Sequence, residues 1–265
     1  MRKIGFIGSG NMASAIMGGI IKKQIFQPEE IIASDLFEEA RKKAKENLGI
    51  CVTDQNKQVV KESEVLVLSV KPQFYEEVIH EIKDEIRKDQ IVITIAPGWT
   101  LEKVAQAIGG SHKIVRTMPN TPALVGEGIT GVCPNSFVEK EDLDYVLTIL
   151  SSFGRAEVVP ESLMDVVTAV SGSSPAYVFM MIEAMADAAV ADGMPRQQAY
   201  TFAASAVMGS AKMVLETGKH PGELKDMVCS PAGTTIEAVG VLEKKGFRSA
   251  LFECMRACVK KARGL

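Results

Sequence analysis

A short apolar strand that runs straight into a glycine turn and then a helix constrains this chain more than any other feature. The run is Ile4-Gly5-Phe6-Ile7-Gly8-Ser9-Gly10-Asn11-Met12-Ala13. Gly8 permits a tight turn, Gly10 lets backbone approach a phosphate, and small Ala13 lets the helix pack close to the strand. The helix N-terminus then offers unpaired N–H groups and a positive dipole end to an anion. This order of elements suits the pyrophosphate of a dinucleotide. A second apolar stretch ends in Ser34-Asp35. Asp35 stands where an acidic residue binds the adenosine ribose hydroxyls. Neighbouring Ser34 is placed to meet a 2′-phosphate instead, but no arginine follows immediately, so NADH and NADPH both stay open.

The first half alternates β-rich runs with helical patterns. The runs are Ile4–Ile7, Glu30–Ala33, Glu64–Val70, Ile91–Ile95 and Lys113–Thr117; helical patterns between them include Asn11–Lys23, Leu36–Asn47 and Phe74–Arg87. Val65-Leu66-Val67-Leu68 and Ile91-Val92-Ile93 are continuous apolar runs, as parallel strands covered on both faces require. A stretch from Gly128 to Pro160 reads as strand, helix (Lys140–Ser152), strand. The fold class is α/β: a doubly wound (Rossmann) dinucleotide-binding domain over residues 1–162. After that the strand signals stop. Helices are expected near 163–171, 175–192, 195–216, 221–228, 234–245 and 247–262, which make residues 163–265 an all-α domain. It is rich in Ala and Met and short of polar faces, so it predicts a helical dimer interface.

Composition narrows the function classes. The net charge of −3 argues against a nucleic-acid partner or a polybasic membrane surface. Five cysteines, at 51, 133, 229, 254 and 258, contain no C-x-x-C pair and predict a reduced, cytoplasmic protein. The N-terminus reads as no signal peptide. The most apolar stretch, Ala176–Ala191, reads as too short to span a bilayer and carries Glu183 and Asp187 four residues apart, on one face of a core helix. His80, His112 and His220 are scattered without metal spacing, and no metal is expected.

Polar clusters fall at the carboxyl ends of strands, where open α/β sheets bind ligands. They are Val70-Lys71-Pro72, Ala96-Pro97-Gly98-Trp99 and Met118-Pro119-Asn120-Thr121. Lys71 is either a site residue or a solvated surface lysine. Asn120 and Thr121 either hydrogen-bond a nicotinamide amide or cap a turn. In the helical half, Ser171-Gly172-Ser173-Ser174-Pro175 and Cys229-Ser230-Pro231-Ala232-Gly233-Thr234-Thr235 each read as a small-residue loop leading into a helix. Such loops present N–H groups that suit a carboxylate, and plain N-capping explains them equally.

At these residues the chain resembles the pyrroline-5-carboxylate reductases. The resemblance runs nearly end to end. It is carried by residues 6–13, Val-Lys-Pro at 70–72, Met-Pro-Asn-Thr-Pro at 118–122, Ser-Gly-Ser-Ser-Pro-Ala-Tyr at 171–177, His-Pro-Gly-Glu-Leu-Lys-Asp at 220–226, Ser-Pro-Ala-Gly-Thr-Thr-Ile at 230–236 and Gly-Phe-Arg-Ser at 246–249. Ala232 and Ser174 depart from it, since many members have glycine there. The resemblance implies reduction of 1-pyrroline-5-carboxylate to L-proline with NADPH or NADH, the last step of proline biosynthesis. It implies a swapped-helix homodimer, often built into a larger ring such as a decamer. It places cofactor contacts at Gly8, Ser9, Gly10, Asn11, Met12, Ser34, Asn56, Val70, Lys71, Pro72, Ala96, Pro97 and Gly98. It places substrate on Ser230, Gly233, Thr234 and Thr235, where the Thr235 hydroxyl is expected to hydrogen-bond the ring nitrogen.

Two other readings compete. A β-hydroxyacid dehydrogenase shares the domain order but needs a base, usually a lysine on the first long helix of the second domain. No lysine occurs between Lys140 and Lys212. A non-catalytic dinucleotide-binding scaffold explains the glycine turn and the apolar helices, but leaves the Ser230–Thr235 loop without a task.

Overall fold

A computed structural model describes residues 2–264. The chain divides into two compact units, one reaching Ser173 and including the end of the chain from Val259, the other spanning Ser174–Cys258.

The first unit begins with β1 (Arg2–Ile7), α1 (Asn11–Lys22), β2 (Ile31–Ser34), α2 (Glu38–Leu48), β3 (Cys51–Thr53) and α3 (Asn56–Glu62). It continues through β4 (Ser63–Leu68), α4 (Tyr75–Ile82), β5 (Ile91–Thr94), α5 (Leu101–Ile108), β6 (Lys113–Met118), β7 (Gly128–Pro134), α6 (Lys140–Leu150) and β8 (Gly154–Val158). The eight strands form one sheet in the order β3-β2-β1-β4-β5-β6-β7-β8. Six are parallel; β7 runs antiparallel to β6 and parallel to β8.

Strand alternation splits the core in two. Phe6, Val65, Val67, Ile91, Ile93 and Val115 face Ile16, Met17 and Ile20 of α1 and Ile149 and Leu150 of α6. Ile7, Ile32, Leu66, Leu68, Val92 and Ile114 face Val59 of α3, Tyr75, Ile79 and Ile82 of α4 and Val104 of α5. Each fully buried aliphatic side chain contributes about 1.5–3 kcal/mol, and burial on both faces is why these strands read as unbroken apolar runs. The sheet also holds elements without a sequence signal. β3 is three half-buried residues, ordered by pairing Cys51, Val52 and Thr53 with Ile32, Ala33 and Ser34.

A long helix follows. It starts with α7 (Met164–Val167), passes through a π-helical segment at Thr168–Ser173 and runs on as α8 (Ser174–Ala191). Its root is fixed by a buried guanidinium: Arg116 on β6 pairs with Glu161 at 3.0 Å and Asp165 at 3.6 Å, and Arg263 also reaches Asp165, at 3.9 Å.

This continuity corrects two expectations. Ser171–Pro175 is no loop that ends in an N-cap. Pro175 has no N–H to offer and its ring would clash with the carbonyl four residues back; the π turn is a helix irregularity of the sort that accommodates such a break. The apolar segment likewise belongs to a longer helix, Glu161–Ala191, whose 31 residues are enough to cross a bilayer by length and composition, with a mean hydropathy of 1.2 over an 18-residue window. Its acidic groups at Glu161 and Asp165 are instead tied to Arg116.

The second unit adds α9 (Arg196–Thr217), α10 (Pro221–Val228), α11 (Thr234–Lys244) and most of α12 (Phe247–Ala262) to α8. α8 was expected to be a core helix, yet within its own chain only Ala186 on it is buried. Glu183 and Asp187 are both exposed, and Asp187 pairs with Arg196. Phe179, Met180, Phe202, Met208, Leu215 and Phe252 are exposed as well.

Candidate active site

The glycine turn sits at the carboxyl end of β1. Gly8 adopts φ +97°, and a Cβ there would lie 2.9 Å from the backbone C and O of Ser69. Two constraints, a left-handed backbone and a close approach to the β4 end, thus both demand glycine. Ser69 locks the turn: its Oγ donates to the carbonyls of Ile7 at 2.9 Å and Gly8 at 2.7 Å. Gly10 is different. It is exposed, has φ −66°, and a Cβ there would meet nothing within 4 Å. α1 has no side-chain cap at Gly10, so the first-turn N–H groups at Asn11 and Met12 remain open to a ligand. This open cradle fits a dinucleotide pyrophosphate.

Polar groups beside the cradle are wired to one another. The Ser9 N–H and its Oγ both donate to Asp35 Oδ2 at 2.9 Å, and the Phe37 N–H donates to Oδ1 at 3.1 Å. Ser9 therefore serves Asp35 rather than presenting its own hydroxyl to a ligand. Ser34 is fully buried and its Oγ donates to Asn56 Oδ1 at 2.7 Å, while Asn56 Nδ2 donates to Glu81 at 2.7 Å. The Ser34 hydroxyl thus gives its proton to Asn56, and of the two it is half-buried Asn56 that borders solvent.

Two further walls stand at the ends of β4 and β5. Val70 and Pro72 are half-buried and Lys71 is exposed. Ala96 is buried, while Pro97 and Gly98, the latter at φ +79°, are exposed. Sequence reasoning missed the residue that joins these walls. The Tyr75 hydroxyl donates to the Leu68 carbonyl and accepts from Thr94 Oγ1 at 3.1 Å and the Ile95 N–H at 3.3 Å. Its ring packs 5.0 Å from that of Trp99, whose Nε1 donates to the Pro72 carbonyl at 3.2 Å. The available signal was the buried face of α4, Tyr75, Ile79 and Ile82, since a phenol in an apolar stripe needs a partner for its hydroxyl.

Burial pushes the Tyr75 phenol up to about 12, against the lowering effect of its hydrogen bonds to Thr94 and Ile95. The folded value exceeds the unfolded one, so the stability it contributes is full below about pH 10 and lost as pH rises towards 12. Two pH units correspond to about 2–3 kcal/mol. Chemical denaturation across pH 8–12 should show this loss in the parent and a smaller one in Tyr75→Phe. The variant should also be about 1–3 kcal/mol less stable at neutral pH, because the Leu68 carbonyl loses its partner. Equal alkaline slopes in the two proteins would refute the assignment.

Asn120 is buried, and both ends of its amide serve the protein. Its Oδ1 accepts from the Ile129 N–H at 2.9 Å and its Nδ2 donates to the Ser171 carbonyl at 3.1 Å. That carbonyl is the one a helical residue at 175 would have bonded, had it not been proline. Asn120 thus completes the π-turned helix, which leaves its expected contact with a nicotinamide amide without support. Thr121 is exposed at the start of a 3-10 turn.

In the second unit, Ser230–Gly233 forms a tight turn closed by the Gly233 N–H donating to the Ser230 carbonyl at 3.0 Å. A Cβ at Gly233 would fall 2.4 Å from Ser230 Oγ. Gly233 precedes α11 with no side-chain cap, so the N–H groups of Thr234, Thr235 and Ile236 at that helix start can take an anion. Ser230 and Thr234 are exposed and Thr235 is half-buried. Ala232 has φ +54°, a conformation that costs an L-residue about 1–2 kcal/mol. Ala232→Gly should therefore raise stability by about 0.5–1 kcal/mol in equilibrium unfolding, the strain relieved being partly offset by a freer unfolded chain. A lower midpoint would show that the backbone here is not strained.

Two family models match the chain. Residues 161–265 match pyrroline-5-carboxylate reductase dimerisation, and residues 3–98 match NADP oxidoreductase, coenzyme F420-dependent. Pyrroline-5-carboxylate reductase of Escherichia coli K12 is 53% identical over 264 residues, covering 100% of this chain and 98% of the relative. That of Methanosarcina acetivorans is 50% identical over 96% of this chain and 94% of the relative. Among solved structures, the Plasmodium falciparum pyrroline carboxylate reductase with NADP bound superposes with a TM-score of 0.91 at 32% identity, covering 99% of this chain and 97% of that one. The Coxiella burnetii reductase gives 0.91 at 34% identity over 99% and 98%. With likeness of this degree along its entire length, the chain belongs to the pyrroline-5-carboxylate reductase family.

Proposed function

We propose that this chain reduces 1-pyrroline-5-carboxylate to L-proline with NADPH or NADH, as the last step of proline biosynthesis. Beyond family membership, the observation that carries this reading is the uncapped helix start at Gly233–Thr235, in a chain that also holds an open pyrophosphate cradle at Gly8–Met12. When bound, the reduced nicotinamide supplies the hydride. The chain's own task is positioning. N–H groups at the start of α11, with Ser230 beside them, hold the substrate carboxylate. The Thr235 hydroxyl hydrogen-bonds the ring nitrogen, so the carbon of the C=N bond is fixed in one orientation. A substrate that enters as the iminium ion is already a strong hydride acceptor, so no side-chain acid is needed. Asn11, Met12, Val70–Pro72 and Ala96–Gly98 border the cofactor in this reading, with Asn56 next to the adenosine ribose.

The exposed apolar side chains of α8, α9 and α12 favour a second copy of this chain as their cover, which gives a homodimer able to build a larger ring. The five thiols stand outside any disulfide, which suits a reducing, cytoplasmic setting. The β-hydroxyacid dehydrogenase reading is disfavoured because α8 offers no lysine.

The direct test mixes purified protein with 1-pyrroline-5-carboxylate and either cofactor, and follows cofactor oxidation together with proline formation. Cofactor binding without turnover across cyclic imines would support the scaffold reading instead. Light scattering at micromolar concentration should give at least twice the mass of one chain; a monomer would refute the apolar-face argument.

A further inference from the structure

The geometry points to Arg41 as a 2′-phosphate ligand that confers NADPH recognition on this chain. The inference rests on the dinucleotide reading above and adds a residue to it. Arg41 lies six positions beyond Asp35 in sequence, and the first turn of α2 brings it back over the end of β2. Its Nη1 donates to the Asp35 carbonyl at 2.7 Å and the Leu36 carbonyl at 3.1 Å. These two bonds hold the guanidinium at the lip where the adenosine ribose of a dinucleotide sits, beyond the second strand. A guanidinium carries five N–H donors. The Nε and Nη2 donors of Arg41 have no acceptor among the described residues, and the side chain is half-exposed. A planar fork of free donors is the geometry that takes a phosphate through paired hydrogen bonds.

The other polar groups at this lip are already engaged. Asp35 is the residue type that reads a free 2′-hydroxyl, but a carboxylate has roughly four acceptor positions. Three are filled, by the Ser9 N–H, the Ser9 hydroxyl and the Phe37 N–H. Both protons on one oxygen come from Ser9, so the carboxylate is turned toward the glycine turn and away from the lip. Ser34 Oγ is committed to Asn56, and Asn56 Nδ2 to Glu81. Arg41 is thus the group at the end of β2 with charge and donors to spare, and its charge offsets the repulsion that Asp35 would exert on a 2′-phosphate.

Isothermal titration of the full-length protein with 2′,5′-ADP and with 5′-AMP separates the 2′-phosphate from the rest of the adenosine. Arg41→Gln should weaken 2′,5′-ADP about 10- to 100-fold, the range for hydrogen bonds to a charged group, and change 5′-AMP less than twofold. Arg41→Lys keeps the charge and loses the fork, and should fall between parent and Arg41→Gln. In steady state the KM for NADPH should rise in Arg41→Gln while that for NADH and both kcat values hold. Equal losses for the two probes, or none, would overturn the role of Arg41. A parent protein that binds neither probe would overturn the dinucleotide reading itself.

Discussion

The Gly10→Val protein will bind NADPH at least about a hundredfold more weakly, while the unliganded variant unfolds within about 4 °C of the parent. A hundredfold is about 2.7 kcal/mol, less than the loss expected when branched carbon displaces a pyrophosphate from a helix N-terminus. A Cβ at Gly10 meets no protein atom within 4 Å, and the backbone at φ −66° accepts any L-residue. The folded state therefore loses only the cap preference, about 1 kcal/mol, or a few degrees for a protein of this size. Gly8→Val should behave in the opposite way. It places a side chain 2.9 Å from the Ser69 backbone and forces valine to φ +97°. Strain and overpacking together cost about 2–5 kcal/mol, visible as a lower midpoint before any ligand is added. Differential scanning calorimetry with and without NADPH distinguishes the two. Equal destabilisation of both variants, or normal binding by Gly10→Val, would mean that the cradle has been misplaced.

Thr235→Ala should lower kcat/KM for 1-pyrroline-5-carboxylate about 10- to 100-fold, the range for loss of one hydrogen bond to a charged group. Thr235 is half-buried at the second position of α11, and alanine is an excellent helix former. The fold should tolerate the change, with NADPH affinity unaltered. Thr235→Ser keeps the hydroxyl and should restore most of the rate. If Thr235→Ala turns over normally, the ring nitrogen is held elsewhere. If Thr235→Ser fails as badly as alanine, the methyl group rather than the hydroxyl carries the role.

Much of the fold was legible because its signals are local. The glycine turn is readable since φ > 0 at Gly8 excludes most other residues, while at Gly10 it is the close approach of a phosphate that asks for glycine. The continuous apolar runs at Val65–Leu68 and Ile91–Ile93 announce strands covered on both faces. The helix boundaries at Gly218 and Gly246 follow from left-handed backbone, φ +65° and +75°. β3 was not legible, because three half-buried residues carry no periodicity and are ordered by their partner strand. α3 and α5 were likewise unassigned.

Within the candidate site the same division holds. The sequence by itself determined which residue types stand at the strand ends: two glycines, an Asp after β2, Val-Lys-Pro after β4, and a Ser-Pro-Ala-Gly-Thr-Thr turn before α11. Only the tertiary structure decided what each does. It turned Asp35 onto Ser9, buried Ser34 against Asn56, drew Arg41 back over the strand end, and set Tyr75 between β4 and β5. It also joined Asn120 to the carbonyl that Pro175 leaves unpaired. The physical reason is one of range. Backbone conformation and hydrophobic period are properties of neighbouring residues, whereas a polar side chain's partner is chosen by whichever donor or acceptor packing brings within about 3 Å, and for Asp35 that partner was 26 residues away.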